Sequence, residues 1–285
     1  MPASFGSKLN KAFATQGQLC VGIDPHASLL SDWNLSDSVA GLKEFSNAVL
    51  DAAVGRVGII KPQVSFFERH GSAGFAVLEE LLQKAQSTDL VVIMDIKRGD
   101  IGTTMDAYFD AWLGKTAPFV CDAITVSPYL GFDSLKPFCA EALERGKGVF
   151  VLAATSNPEG ASLQQALQGD KPVAANIWNE LGKLNKLTGI PGEQGSFGAV
   201  LGATLKLRKF GLEAVTGEQP EIGTPILAPG FGAQGARLED IESLFGGSTK
   251  NVIASVSRSV LQAGAFAIDE AIESAVAALA IGIDG

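Results

Sequence analysis

The chain has 285 residues, of which 46% are hydrophobic and 19% are charged, and its formal net charge at pH 7 is −9. This length allows one large α/β barrel or two smaller domains, and the apolar content excludes a disordered protein because it can bury a substantial core. The negative charge argues against a nucleic-acid partner, which normally needs a broad cationic surface, but it is compatible with a small anionic ligand held by a few local cations.

Short apolar runs alternate with longer helical patterns from one end of the chain to the other. This alternation is typical of repeated βα units that build a parallel sheet. In chain order, the apolar runs predict eight strands, at residues 19–24, 57–61, 90–95, 123–126, 148–153, 198–203, 225–228 and 251–256.

Helical patterns lie between these runs, and several of them carry apolar residues at positions i, i+3 and i+4. Eight strand and helix units that close on themselves form a (β/α)8 barrel, which is the fold that we predict. The predicted helices lie near residues 37–53, 72–86, 103–113, 134–144, 173–187, 205–210, 238–245 and 259–281.

Three stretches fit neither pattern, at residues 156–173, 188–198 and 211–224, and they are rich in Gly and other turn residues. We interpret them as loops that elaborate a barrel rather than as linkers between domains. The sequence therefore predicts a single domain over residues 1–285, with extra loops near 156–173 and 211–224.

Cysteine and histidine are scarce. Cys20, Cys121 and Cys139 are too few and too scattered for a disulfide framework or a metal site. Cys20 and Cys121 lie in or beside apolar runs, so we expect these two to be core residues. The two histidines are too few for a multi-histidine metal site or a triad, and we expect His26 at the surface rather than at the edge of a site. The chain has no signal-like N-terminus and no run of about 18 apolar residues, so we expect a cytoplasmic protein that does not bind a membrane.

In a (β/α)8 barrel, the chemistry takes place where the strands end and the following loops begin. Polar and charged residues at these positions are therefore the candidates for a functional site. The predicted strands end at or near Asp24, Lys61, Asp95, Lys97, Ser127, Ser156, Asn157, Thr204 and Arg258, and a glycine-rich run follows Ala228.

The ends of the second and third strands carry three charges. Asp95 and Lys97 are two residues apart, so on a strand both side chains face the barrel mouth, and the neighbouring strand brings Lys61 beside them. Burying such charges is costly unless each has a partner, which an alternating row of Lys61, Asp95 and Lys97 provides. An ion-pair network that only stabilises the barrel could use the same residues, but the spacing of the whole set favours a functional site.

The segment after the third apolar run reads Asp95-x-Lys97-x-x-Asp100-Ile101-x-x-Thr104. This pattern resembles the signature of the orotidine 5'-monophosphate (OMP) decarboxylase family, and the intervening Arg98-Gly99 resembles its larger-chain branch. The resemblance extends over nearly the whole predicted barrel, through Gly22-Ile23-Asp24, Ile60-Lys61-Pro62, Ala154-Thr155-Ser156-Asn157, Val200-Leu201-Gly202-Ala203-Thr204, Ala228-Pro229-Gly230-Phe231-Gly232-Ala233-Gln234-Gly235 and Ser257-Arg258-Ser259.

The resemblance implies a carboxy-lyase that converts OMP to uridine monophosphate (UMP) and carbon dioxide in pyrimidine biosynthesis, with no metal and no cofactor. Loss of carbon dioxide leaves an electron pair on C6 that the ring cannot delocalise, so a fixed cation must meet the developing charge. By resemblance, Lys97 is this cation and then the proton donor to C6, while Asp95 faces the substrate carboxylate.

The resemblance also implies a homodimer with shared active sites. Asp100 would reach the catalytic site from the other subunit, and Thr104 would cross the same interface to bind the ribose. Lys61 would keep Asp95 ionised and bind the ribose, to which Asp24 would also bind. A monomer would then have an incomplete site.

The remaining predicted contacts are to the pyrimidine ring and the phosphate. The resemblance places Ser156, and secondarily Asn157, at the edge of the ring, although a helix cap or a turn would explain both, and Pro229 near the ring unless it only shapes its loop. The run from Gly230 to Gly235 would let backbone N–H groups approach a phosphate, with Gln234 as a side-chain contact. In barrels the loops after the seventh and eighth strands commonly bind phosphate, and Arg258 would supply the charge there.

Three alternatives stay open. A Rossmann-type oxidoreductase would use the same glycine pattern, but too few residues follow Gly230 to complete a dinucleotide domain. A metal-assisted relative acting on sugar phosphates shares the Asp-x-Lys-x-x-Asp core, but it places a glutamate ligand where this chain has Lys61, which would repel a divalent cation. A non-catalytic phosphate binder is disfavoured by the presence of both Asp95 and Lys97.

Overall fold

Eight parallel strands form a closed barrel in a computed structural model, which describes residues 3–284 of the chain. Each barrel strand pairs with the next along the chain, and the last strand pairs with the first. The predicted (β/α)8 barrel is therefore confirmed. The barrel strands are β1 (Leu19–Ile23), β2 (Ile59–Pro62), β3 (Val91–Arg98), β4 (Ala123–Val126), β5 (Gly148–Ala154), β6 (Phe197–Leu201), β7 (Ile226–Pro229) and β8 (Val252–Val256).

The strands are buried on both faces, which is why they read as continuous apolar runs and not as alternating ones. All eight predicted strands are present, with small shifts at their ends. The largest shift is in β3, which continues to Arg98 and thereby carries Asp95 and Lys97 within the strand.

Helices cover the outside of the barrel. The α-helices are Phe5–Gln16, Ala27–Asp32, Val39–Ala53, Ser65–Glu68, Gly71–Ala85, Gly102–Trp112, Lys136–Glu144, Ala161–Gln164, Val173–Thr188, Glu213–Thr216, Ile241–Phe245, Arg258–Leu261 and Ile268–Asp284. Short 3-10 helices are found at Phe132–Leu135, Pro158–Gly160, Leu207–Phe210, Leu238–Asp240 and Gly246–Asn251.

Two predicted helices differ from the structure, and a glycine explains the second case. The helix predicted at residues 205–210 is a 3-10 helix, Leu207–Phe210, which ends at Gly211 with a φ of 66°. The helix predicted at residues 259–281 is two helices, because Gly264 adopts a φ of 80° between them. Such left-handed backbone is readily available to glycine and interrupts a helix.

The first helix, Phe5–Gln16, was not predicted from the sequence. Ser4 caps it, since its side chain accepts a hydrogen bond from the backbone N–H of Ser7 at 3.0 Å. The Phe5 ring packs against the Phe150 ring with centroids 5.8 Å apart, and Phe5 also lies against Gly148, the first residue of β5. The helix therefore closes the amino-terminal end of the barrel, opposite the end where the strands terminate.

The stretches predicted as extra loops contain short regular elements. Residues 156–173 hold two short helical turns and an antiparallel ribbon in which Leu167–Gln168 pairs with Lys171–Pro172. Residues 211–224 hold the helix Glu213–Thr216. Elements of two to four residues are too short to produce a sequence period, which is why they read as loops.

The structure also reports on the burial of the cysteines and on the length and hydropathy of the helices. All three cysteines are buried, which confirms the expectation for Cys20 and Cys121. Across residues 3–284, no helix combines the length and the hydropathy that crossing a bilayer requires. The interpretation of residues 1–285 as one domain stays a prediction.

Candidate active site

A cavity of about 570 Å³ opens at the carboxyl ends of the barrel strands. Its base is the apolar inner core of the barrel, through Leu152, Val200 and Leu227. Nine of the predicted site residues line it, namely Asp24, Lys61, Asp95, Lys97, Ser156, Asn157, Pro229, Gln234 and Arg258.

Three charged side chains form the row that the sequence predicts. Lys61 Nζ lies 3.1 Å from Asp95 Oδ2, and Lys97 Nζ lies 2.6 Å from Asp95 Oδ1. The side chains of Lys61 and Asp95 are 9% and 11% exposed, whereas that of Lys97 is 45% exposed. The row therefore runs from a buried lysine, through a buried carboxylate, to an ammonium that faces the cavity.

The Asp95 carboxylate accepts two further hydrogen bonds. Gln63 Nε2 donates to Oδ2 at 3.0 Å, and Thr125 Oγ1 donates to Oδ1 at 2.8 Å. Each carboxylate oxygen thus receives two donors, which uses the capacity of an ionised carboxylate almost completely. Asp95 is held in one orientation, and it in turn directs the Lys97 amine.

The electrostatics of the row favour charged side chains. Burial opposes ionisation of Asp95, but Lys61 and Lys97 overcome this effect and hold the pKa of Asp95 well below its usual range. Burial alone would lower the pKa of Lys61, yet the carboxylates of Asp95 and Asp24 raise it well above its usual range. Since neighbouring opposite charges favour the ionised forms, Lys61 and Asp95 keep their charges at neutral pH.

The backbone under Lys97 is irregular. The register between β3 and β4 shifts between Met94 and Arg98, and Lys97 adopts a φ of 47°. Lys97 faces the barrel mouth as predicted, but the predicted cause is wrong. A bulge in β3, and not regular strand alternation, orients the side chain. A left-handed conformation costs a residue other than glycine about 1–2 kcal/mol, and such strain is concentrated at functional sites.

Polar atoms near the first and last strands lack partners within residues 3–284. Asp24 Oδ1 and Ser257 Oγ are buried there without a hydrogen bond, and both residues line the cavity. A buried carboxylate oxygen without a donor is costly, so a ligand hydroxyl would stabilise this corner. His26 also lines the cavity and contacts the Phe66 ring with centroids 4.3 Å apart, so the expectation of a plain surface histidine is wrong.

The loop after β7 depends on its glycines. Gly230, Gly232 and Gly235 have φ values of 117°, 72° and 104°. A Cβ atom on Gly232 would lie 2.4 Å from Ser259 Oγ, so glycine is required where the loop meets the helix that begins at Arg258. The loop and the end of β8 thus form one wall of the cavity, where the Arg258 side chain is exposed.

A hydrogen bond joins two loops across the cavity. Ser156 Oγ, after β5, lies 2.9 Å from Gln234 Oε1 in the loop after β7, to which it donates. Asn157 lines the same wall, but its amide contacts Thr155 at 2.7 Å and Glu159 at 3.2 Å. These local contacts fit a turn-stabilising role for Asn157, the alternative that the sequence left open.

Three predicted site residues do not line the cavity of their own chain. Asp100 accepts a hydrogen bond from the Ile101 N–H at 2.8 Å, and Thr104 is exposed in the first turn of the helix Gly102–Trp112. Gly235 lies on the loop after β7 but outside the cavity wall. The structure therefore does not bring Asp100 or Thr104 to the charged row.

Sequence reasoning missed two residues that contact Asp95. Gln63 lies two residues after Lys61. Thr125 lies on β4, two residues before Ser127. The two-residue spacing that drew attention to Asp95 and Lys97 was a signal for both of them. Each is a polar residue at the mouth end of a strand that is otherwise largely apolar.

Comparison with known proteins gives an independent result. The model of the orotidine 5'-phosphate decarboxylase / HUMPS family matches residues 17–270. A Streptomyces coelicolor protein named orotidine 5'-phosphate decarboxylase is 51% identical over 264 residues, which cover 91% of this chain and 90% of that protein.

Solved structures agree with this comparison. A Streptomyces avermitilis protein, provisionally given the same enzyme name, superposes with a TM-score of 0.91 at 46% identity and covers 99% of this chain and 97% of its own. The OMP decarboxylase of Leishmania donovani superposes with a TM-score of 0.73 at 28% identity, over 97% of this chain and 98% of its own. The chain belongs to the orotidine 5'-phosphate decarboxylase / HUMPS family.

Proposed function

We propose that the chain decarboxylates OMP to UMP and carbon dioxide, a step of pyrimidine biosynthesis. The observation that carries this proposal is the ammonium of Lys97, held 2.6 Å from Asp95 and facing the cavity. Relatives that are about half identical carry the name of this enzyme, which supports the same substrate here.

In the proposed reaction the bond between C6 and the carboxyl carbon breaks and its electron pair stays on C6. The Lys97 ammonium stabilises that pair and then transfers a proton to C6, and the neutral amine regains a proton from solvent. Asp95 directs the amine and faces the departing carboxylate. We assign Asp95 a position beside that carboxylate and no separate rate effect.

The rest of the cavity suits a nucleoside monophosphate. Arg258 and the glycine loop after β7 would bind the phosphate, since an exposed guanidinium favours an anion and the N–H groups of Ala233 and Gln234 make no backbone hydrogen bond within the described residues. Asp24 and Lys61 would bind the ribose, and the unpartnered Asp24 Oδ1 supports this assignment. Ser156 would contact the pyrimidine edge, with Gln234 bridging towards the phosphate and Pro229 packing near the ring.

We also infer a homodimer in which each subunit completes the other's site. Asp100 and Thr104 lie outside the cavity of their own chain, so the proposal assigns them to the cavity of a neighbouring subunit. Ile101, which follows Asp100 in the chain, is 59% exposed, and Tyr129 on the loop after β4 is 76% exposed. Burying these exposed apolar side chains against another subunit would stabilise such a dimer.

An ultraviolet assay tests the proposed function. Purified protein mixed with OMP is expected to remove the absorbance of the orotate ring at the same rate with and without EDTA. Activity that EDTA abolishes would favour a metal-assisted relative instead, a result at odds with Lys61 at the position of a metal ligand. No change in absorbance under either condition would identify a binder without catalysis.

A further inference from the structure

The hydroxyl of Thr125 in β4 makes three hydrogen bonds to β3, one to the Asp95 carboxylate and two to backbone N–H groups. Thr125 is 1% exposed, and its Oγ1 donates to Asp95 Oδ1 at 2.8 Å. The same oxygen accepts from the backbone N–H of Ile96 at 3.1 Å and from that of Lys97 at 3.0 Å. One donated and two accepted hydrogen bonds use the full capacity of a hydroxyl group.

The position of this hydroxyl coincides with the bulge in β3. Regular pairing between β3 and β4 stops after Met94 and resumes where Ser127 N donates to Arg98 O at 2.7 Å. Between these points the N–H groups of Ile96 and Lys97 bond to the Thr125 side chain in place of a strand carbonyl. The bulge is therefore stabilised by a side chain from the neighbouring strand.

Thr125 restrains Lys97 at both ends. At the backbone it binds the N–H of a residue in left-handed conformation, with a φ of 47°. At the tip it acts through Asp95, since the Asp95 oxygen that accepts from Thr125 also accepts from Lys97 Nζ at 2.6 Å. Strained conformations persist where the surrounding structure over-determines them, and this hydroxyl supplies part of that restraint.

We propose that Thr125 is a positioning residue that holds the Lys97 amine in the geometry required for proton transfer to C6. This inference rests on the proposed function and deepens it. The side chains assigned to phosphate and ribose, Arg258, Asp24 and Lys61, make no hydrogen bond to Thr125 in the described structure. Loss of the hydroxyl is therefore expected to act on kcat far more than on KM.

Three variants measured beside the wild-type protein test this proposal. Thr125→Val keeps the shape but removes the hydroxyl, and kcat for OMP is expected to fall about tenfold to a hundredfold, while KM changes by less than about threefold. Thr125→Ser keeps the hydroxyl and should retain kcat within about threefold. Thr224→Val is the matched control. Thr224 is also buried, at 2% exposure, and it lies just before the amino-terminal end of β7. Its hydroxyl accepts a hydrogen bond from the Asn185 side chain.

Two further measurements separate positioning from general damage. The affinity for UMP and the melting temperature report whether the cavity still folds, and both should change in Thr125→Val no more than in Thr224→Val. If Thr125→Val does not fold, Thr125→Ala replaces it, since it removes the same hydroxyl and leaves room for water; the same loss in kcat is expected.

Each outcome has a distinct reading. If the wild-type protein is active and Thr125→Val, or Thr125→Ala in its place, has an unchanged kcat, the inference is overturned. The proposed function is then unaffected. An equal loss of kcat in Thr125→Ser and Thr125→Val also overturns it, because the hydroxyl would not be the cause. A wild-type protein that does not turn over OMP overturns the proposed function, and the inference with it.

Discussion

The Lys97→Ala variant is expected to lose OMP decarboxylation by a factor of at least about a thousand in kcat. Removing an electrostatic contact to the developing charge typically costs about a hundredfold to a thousandfold, and loss of the general acid adds to this effect. The amine is the part of the row that faces the cavity, with a side chain 45% exposed. Affinity for UMP, measured by calorimetry, should fall much less than kcat.

A chemical control distinguishes loss of the amine from damage to the site. Lys97→Cys treated with 2-bromoethylamine regains an ammonium on a side chain of nearly the original length, and part of the activity should return. The native thiols should react slowly, since burial raises the pKa of Cys20 and Cys139 to about 12 and that of Cys121 above its ordinary value. Near-normal turnover by untreated Lys97→Ala would remove Lys97 from the mechanism.

Mixing two inactive variants is expected to restore activity. Lys61→Ala and Asp100→Ala should each be inactive, because the first leaves Asp95 without its buried partner and the second would remove the group that the proposed dimer supplies to the neighbouring subunit. In a mixed dimer, one site combines an intact Lys61 with an intact Asp100 from the other chain. Random exchange of subunits at equal amounts should therefore give about a quarter of the wild-type activity.

Subunit exchange must be measured independently in this experiment, for example with two affinity tags. A mixture of Lys61→Ala with Lys97→Ala is the matched control, because both residues belong to the same cavity and no mixed site is intact. Persistent inactivity of the first mixture after demonstrated exchange would contradict a shared site. Equal recovery in both mixtures would contradict it as well.

The barrel was predictable because its strands are buried on both faces and its turns contain glycine and proline. Strand β3, for example, begins with four apolar residues and ends in charged ones. This pattern is typical of a buried barrel strand that ends at the barrel mouth. The helix Phe5–Gln16 was not predicted because its partners, such as Gly148 and Phe150, are distant in sequence. Amphipathicity alone does not specify what covers the end of a barrel.

The sequence predicted which residues form the charged row, but regular strand spacing is not what places Lys97 there, and the contacts that hold the row were not predicted. No local pattern announces that Lys97 adopts left-handed backbone, since the conformation depends on a bulge between two strands. The role of Thr125 follows from pairing between β3 and β4, a contact across about thirty residues that spacing along one strand does not reveal. Residues that act across subunits are equally invisible in one chain's contacts.

A crystal structure of the protein with UMP bound tests most directly whether the Lys97 amine stands beside the reacting carbon. The proposed mechanism predicts C6 of the pyrimidine at about 3–4 Å from Lys97 Nζ, with the phosphate against Arg258 and the glycine loop after β7. A nucleotide whose C6 faces away from Lys97, or whose phosphate binds at the opposite wall, would contradict it.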